Sequence, residues 1–338
     1  MIELINSETV TVPGLYRQHE VSYHGDPCPL PSLSRSIALK LVEESPRHAF
    51  TAHPRLNPQE PEEEKNDATR EIGSAAHALL LRQPTEICVI DAKDYRTKKA
   101  QEERTEAQAR GAIPLLTKDY ATAVAMVEKA RADLAFSDHA AIRALAEPDD
   151  SVIYNEVTAA WIDRCGDHWA RIRLDRLSVS RDRITVIDYK TTKLSVEPMA
   201  AARAIYNNIY HFQDGFYRRG IRALFPAIDR HELKLDFLFI LQEQEPPHEI
   251  TVARVDPAGR LIGEKMVSTA FLLWRKCMAE NHWPGYPNEI VTAEMPAYVD
   301  TRWTSREIED PRLQGLGFDP MPFFETNPYQ PKQITEPC

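Results

Sequence analysis

The sequence predicts an α/β fold, with helices packed around a central mixed β-sheet. Three observations carry this. Strand-like runs at 152–162, 169–179 and 183–190 follow one another with short breaks, as in a meander. Helical spacing dominates before and after them, and two more apolar runs, Leu233–Gln242 and Ile250–Val255, return to strand character. With 338 residues, 43% hydrophobic and 27% charged, the chain has ordinary globular composition and enough length for a proper core.

The elements follow in order. Residues 1–29 read as an extended arm with one strand. Ser32-Leu-Ser-Arg-Ser-Ile opens on a helix N-cap, and its helical spacing runs until Pro46 stops it. Residues 54–67 are proline-rich and acidic and read as a mobile loop. A helix over Thr69–Leu81 carries His77 among alanines and leucines. Residues 94–110 are charged and polar, and Gly111-Ala-Ile-Pro114 separates them from a helix over Asp119–Phe136. Asp163–Asp167 and Ser180–Asp182 break the meander. One helix is expected over Met199–Gly220 and another over Glu264–Asn281. From Trp303 the chain becomes proline-rich and irregular, so 301–338 read as a flexible tail.

Several classes are excluded. No apolar run approaches membrane-spanning length, and the N-terminus lacks the basic start and apolar core of a signal peptide, so the cytoplasm is the expected compartment. Five scattered cysteines, never spaced C-x-x-C, argue against a disulfide framework, a zinc ribbon or a compact iron–sulfur motif. Phosphate-loop, dinucleotide, zinc-protease and serine-hydrolase motifs are missing. The net charge of −10 looks wrong for a nucleic-acid binder, but Arg164–Arg222 holds 12 Lys/Arg against 6 Asp/Glu. That basic segment fits a local site for an anionic polymer, and equally an uneven surface with no partner.

The chemistry concentrates in Arg183-Ile-Thr-Val-Ile-Asp-Tyr-Lys190. On a strand, Ile184, Val186, Asp188 and Lys190 share a face, so an acid and a base emerge where the apolar part ends. Other Asp/Glu-x-Lys triplets (Glu63/Lys65, Asp91/Lys93, Glu232/Lys234) lack that setting. Asp175 repeats the logic on the preceding strand, where Arg171, Arg173 and Asp175 face one way and Ala170, Ile172 and Leu174 the other. Two carboxylates converging in one cleft repel unless a cation lies between them. Glu156 sits mid-strand, where a glutamate is exposed or liganded. His77 alone on its helix reads more readily as a core histidine than as a ligand. The 199–220 segment carries two stripes. Ile205, Ile209, Phe212 and Phe216 should face the core. Tyr206, Tyr210, Gln213 and Tyr217 form either an amphipathic boundary or a wall of the cleft.

Asp175, Asp188-Tyr-Lys190 and Gln213-x-x-x-Tyr217, with His77 upstream, resemble the PD-(D/E)XK nuclease superfamily. Within its RecB-type branch the chain is most similar to the RecE-like, exodeoxyribonuclease VIII-type enzymes of phages and prophages. Leu33-Ser-Arg-Ser-Ile and Ser45-Pro-Arg-His-Ala-Phe50 resemble that group's N-terminal motif, and Trp283-Pro-Gly-Tyr-Pro287 its C-terminal one. The resemblance implies a restriction-endonuclease-like core over 30–300. It implies Mg²⁺, with Mn²⁺ as substitute, held by Asp175, Asp188 and the Tyr189 carbonyl, with His77 and Glu156 as further ligands. Lys190 would orient or activate the attacking water. Gln213 and Tyr217 would lie near a nucleic-acid strand, and Arg171, Arg173 and Arg176 would grip its backbone. The implied activity is 5′→3′ exonuclease action on linear double-stranded DNA in phage-type recombination, beside a single-strand annealing protein and in a homo-oligomer. The cysteine set of the iron–sulfur relatives is missing, so no such cluster is expected. The alternatives are a structure-specific or single-strand endonuclease of the same fold, and a non-catalytic nucleic-acid-binding or partner-docking module.

Overall fold

An eight-stranded mixed sheet organises the computed structural model of the chain, which describes residues 3–58, 68–83, 85–164 and 168–314. Two units divide the chain, Met1–Tyr286 and Pro287–Cys338. In the first unit, β1 (Leu4–Asn6), β2 (Gly14–Arg17), α1 (Glu20–His24) and β3 (Leu33–Ser34) lead in. The arm thus contributes two strands to the sheet rather than one. Helix α2 (Arg35–Glu43) starts at Ser34, whose hydroxyl accepts from the Ile37 N–H. Pro46 does more than stop it. With Ser45 as N-cap, it becomes the first residue of α3 (Pro46–Ala52), where its missing N–H costs nothing. Most of the expected acidic loop lies outside the described residues.

Helix α4 (Ala68–Leu80) agrees with the expected helix around His77. β4 (Ile87–Ile90) and β5 (Ile113–Leu116) form a separate parallel pair, and the polar 94–110 segment encloses a helix, α5 (Lys98–Ala109). Its composition hides it, since only Ala100 and Ala107 are buried. Then come α6 (Thr117–Leu134), α7 (Ala140–Arg143) and the meander: β6 (Val152–Asp163), β7 (His168–Val179) and β8 (Arg183–Thr192). The expected single helix over Met199–Gly220 is two, α8 (Pro198–Asn207) and α9 (Tyr210–Leu224), because Ile209 adopts a left-handed conformation, φ 55°. β9 (Lys234–Glu243), β10 (Ile250–Ala253) and α10 (Pro257–Glu280) complete the unit.

The sheet runs β1-β2-β6-β7-β8-β9-β10, with β3 added beside β7. β6, β7 and β8 pair antiparallel; β8 and β9 pair parallel, and the α8–α9 crossover makes that parallel return possible. One face packs on α2, α9 and α10 through Ile37, Phe212, Phe216, Phe271 and Trp274. The other packs on α4 and α6 through Ala76, Leu80, Met126 and Val127. β8 and β9 feed both layers: Ile184, Val186, Phe237 and Phe239 face the first, and Ile187, Tyr189, Leu238 and Ile240 the second. Each large side chain so buried contributes about 1.5–3 kcal/mol. Trp283 packs edge-on against Trp274, and the Pro284 carbonyl accepts from the Arg47 N–H at 3.1 Å. The Ser45–Phe50 motif and the Trp283–Tyr286 part of the later one therefore meet in space.

In the second unit, the chain expected to be irregular from Trp303 is helical there: α11 (Ala297–Glu309) and α12 (Pro311–Gln314). The helix is local in origin, with Pro296 before its first turn and Trp303 donating to Glu307 one turn on. Residues 315–338 lie outside the described residues. No described helix is long and apolar enough to cross a membrane.

Candidate active site

The sheet opens where Asp175 and Asp188 face each other. β8 pairs with β7 only over Arg176–Val179, and β3 pairs with it only at Ala170 and Arg171. Between those stretches, Ile172–Asp175 has no described strand on that edge, and its surroundings must find other partners. The Tyr217 hydroxyl, reaching in from α9, donates to the Arg173 carbonyl at 3.0 Å. The Tyr189 N–H donates to Asp175 Oδ2 at 3.0 Å.

A backbone irregularity aims the second strand's acid. Glu156 has φ 50°, a conformation a non-glycine residue adopts only at a cost. The β6–β7 ladder skips the pair it makes with Asp175, between Asn155–Arg176 and Val157–Leu174. Side-chain alternation slips there on both strands. Val157 and Leu174 face the larger core, but so do Tyr154 and Leu177, three positions away rather than two or four.

His77 arrives from above. Helix α4 lies so close to β8 that a Cβ on Gly73 would sit 2.5 Å from Thr191 Oγ1. One turn on, His77 places Nε2 3.0 Å from Asp175 Oδ2 and Nδ1 3.5 Å from Glu156 Oε1, with its ring stacked on Tyr189. From the other layer, Lys190 lies 2.5 Å from Asp188 Oδ1, and the Gln213 amide donates to Asp188 Oδ2 at 2.8 Å. Lys190 also sits 5.5 Å from the Tyr210 ring centroid.

The charges offset one another unevenly. Burial pushes the Asp188 carboxyl up, Lys190 opposes this, and the neighbouring Asp175 adds to it. Burial also raises Glu156, with Asp175 behind it. Burial would raise Asp175 too, but the charge and hydrogen bond of His77, helped by Lys190 and the Tyr189 N–H, hold it at about 2. Burial pulls His77 and Lys190 down, yet the surrounding carboxylates outweigh it and raise both, so Lys190 stays an ammonium.

A divalent cation fits this donor set. His77, Glu156 and Asp175 each offer one ligand atom within 4.8 Å of the others. Asp188 Oδ1 is buried and accepts no aligned hydrogen bond, lying only against the Lys190 ammonium. Three carboxylates and one imidazole are mostly hard donors, which suits a cation of the Mg²⁺ or Mn²⁺ kind.

The three arginines expected to grip a nucleic-acid backbone behave differently from that expectation. Arg171 is 2% exposed and points inward, donating to the Tyr23 and Ser32 carbonyls and pairing with Asp26 at 3.0 Å. Arg176 is 4% exposed, donates to the Ala144 carbonyl, and is pulled down to about 10 by burial. Neither presents its charge to a ligand. Arg173 remains beside the site but is bound to Glu156 at 2.8 Å. Part of the local excess of positive charge is likewise spent internally, since Arg183 and Arg219 pair with Asp236 and Asp163 from outside the segment. Of the tyrosine-glutamine stripe, Tyr210, Gln213 and Tyr217 reach the site, whereas Tyr206 bonds to Asp256 away from it. Sequence reading missed Gln83, whose amide touches both His77 and Glu156. Its only signal is its place between the end of a helix and Pro84.

Comparison with curated proteins finds no match. Among solved structures, the chain resembles a candidate exonuclease from Eubacterium rectale, at 10% identity over 80% of this chain and 93% of that one, with a TM-score of 0.45. The profile of the PD-(D/E)XK nuclease superfamily matches residues 33–310, a span that holds every residue of the His77, Glu156, Asp175, Asp188 and Lys190 cluster, and the chain belongs to that superfamily.

Proposed function

We propose that the chain is a Mg²⁺-dependent exodeoxyribonuclease, with Mn²⁺ as substitute, that degrades linear double-stranded DNA from 5′ to 3′. As a member of a nuclease superfamily it is a hydrolase of nucleic acid, and such nucleases use divalent metal ions. The exonuclease polarity rests on the RecE-like motifs, as do a cytoplasmic role in phage-type recombination, an annealing-protein partner and a homo-oligomer. The observation that carries the site is the convergence of His77, Glu156 and Asp175 on one point, with the Asp188–Lys190 pair beside them.

In this reading Asp175 and Asp188 hold the cation from adjacent strand ends, joined by His77, Glu156 and the Tyr189 carbonyl. The bound cation supplies Lewis acidity, lowering the pKa of water and stabilising charge on the phosphate. Lys190, kept charged by Asp188 and Asp175, is a donor rather than a base. It orients the attacking water and neutralises a phosphate oxygen. Gln213 fixes Asp188 through Oδ2, and Oδ1, which lies against Lys190 in the metal-free protein, would be the oxygen offered to the cation. Tyr217 props the open edge of β7 through the Arg173 carbonyl, which makes it a positioning residue.

The test is digestion of linear duplex labelled at the 5′ or the 3′ end, with closed circular DNA beside it. Early release of 5′ label with the circle intact is expected. Equal degradation of the circle would refute exonuclease action.

A further inference from the structure

Gln83 owes its position to the left-handed turn that ends helix α4. Helix α4 ends with Arg82 left-handed, φ 52°, and with the Gln83 N–H bonded back to the Ala78 carbonyl at 2.9 Å. This Schellman-type ending folds the residue after the turn back over the last turn of the helix. Asn155 caps the same helix end, donating to the Leu81 carbonyl at 2.6 Å, and so docks it on β6 beside Glu156. The Gln83 side chain is thereby set between His77 and Glu156. Its Nε2 lies 2.9 Å from His77 Nδ1 and 2.7 Å from Glu156 Oε1.

The orientation of that amide follows from its neighbours. Arg173 holds Glu156 as a carboxylate through Oε2, so the Gln83 atom facing Oε1 must be a donor. The same NH₂ then donates to His77 Nδ1. In the neutral ring this places the proton on Nε2, where it is donated to Asp175. A ring so arranged has no lone pair to offer on Nε2, the nitrogen that faces Asp175. Glu156 Oε1 is occupied as well.

We propose that Gln83 is a positioning residue whose amide, turned over, fixes the His77 tautomer that presents Nε2 to a divalent cation and at the same time releases Glu156 Oε1. Turned over, Oε1 accepts from Nδ1–H. The ring's single proton has moved from Nε2 to Nδ1, so the ring stays neutral and no proton is gained or lost. Outer residues that orient a ligating histidine commonly act in this way, and their loss lowers metal affinity about 10–100-fold.

The inference rests on the metal-site reading above, and four full-length proteins separate the two: wild type, Gln83→Leu, Gln83→Glu and His77→Ala. Mn²⁺ affinity is measured by calorimetry, with thermal unfolding of the metal-free proteins to confirm that each is folded. Gln83→Leu should bind Mn²⁺ about 10–100-fold more weakly. Gln83→Glu can only accept from Nδ1–H, so it should bind within about threefold of wild type or more tightly. In ¹⁵N-histidine spectra, Mg²⁺ should bring out an Nδ1-protonated ring in wild type and not in Gln83→Leu. Wild-type affinity in Gln83→Leu overturns the inference, and so does a Gln83→Glu variant as weak as Gln83→Leu. If His77→Ala also binds like wild type, the ligand assignment itself fails. If only His77→Ala is weakened, Gln83 alone has been misread.

Discussion

Replacing Lys190 with alanine should abolish cleavage and also show what the lysine does for the metal-free fold. The Asp188 side chain is 3% exposed and has two partners, the Lys190 ammonium at 2.5 Å and the Gln213 amide at 2.8 Å. Without the ammonium, a buried carboxylate is left beside Asp175 with one neutral donor. Stranding one member of a buried pair costs about 3–5 kcal/mol. Lys190 is 31% exposed, so solvent screens part of its charge and the expected loss is nearer about 2–3 kcal/mol. Asp188 can escape by taking up a proton, because its folded pKa is already raised and rises further in the variant. The deficit should therefore grow as pH climbs through that pKa and shrink below it. Mg²⁺ should restore much of the loss, since it replaces the missing positive charge. Urea unfolding in chelator and in Mg²⁺ measures the stability, and end-labelled duplex measures cleavage, which should fall by about 10²–10³ or more. Cleavage within about tenfold of wild type, in a folded variant, would refute the role given to Lys190.

Four further outcomes are expected. Gly73→Ala should push α4 away from Thr191 and cost about 1–3 kcal/mol by denaturant unfolding, with much of the loss recovered in a Thr191→Ala background. Arg171→Met should destabilise by about 1–3 kcal/mol by removing the nearest cation from buried Asp26, which keeps its Ser32 hydrogen bonds and Arg55 at 3.8 Å, while DNA affinity per folded molecule and its salt slope stay unchanged. In chelator, the His77 contribution should be complete below about pH 6.5 and be lost as pH rises through its raised folded pKa, so a stability–pH series on His77→Ala should be flat over that range. Asp175 runs the other way. Held at about 2, it contributes about 2 kcal/mol above pH 4 that disappears as pH falls towards 2, and Asp175→Asn should remove that slope.

The layers of the fold were legible because burial writes itself as period. Ile184, Val186, Phe237 and Phe239 alternate with Ile187, Leu238 and Ile240, and the two sets do face two cores. What was illegible depended on single residues or on distant partners. Ile209 breaks a helix that its neighbours' spacing would continue, and nothing local announces a left-handed isoleucine. α5 buries only two alanines, so its period is absent from its hydrophobicity. The arginines of β7 misled in a different way. Alternation does place Arg171 on the face away from Ala170, but that face is covered by the N-terminal arm, whose carbonyls and Asp26 take up its charge. A strand pattern gives the face; it does not say whether water or another segment lies against it.

Glu156 brings the two kinds of information together. Its strand could pair without interruption, and the ladder resumes in the same register on either side of it. The left-handed backbone is thus no consequence of sheet formation, and it costs of order 1–3 kcal/mol. It also delivers a third carboxylate to an opening that already holds two, where repulsion and burial raise the cost further. The metal-free protein meets that cost with three partners, the Arg173 guanidinium on Glu156, His77 Nε2 on Asp175 and the Lys190 ammonium on Asp188. Three acids, each matched by its own separable partner, make a site that stands without metal yet yields its oxygens one partner at a time. A fold selected only for stability would have gained more from an ordinary residue at 156 and an apolar pair at 175 and 188. The strain and the stored repulsion are intelligible as the preparation of a place for positive charge.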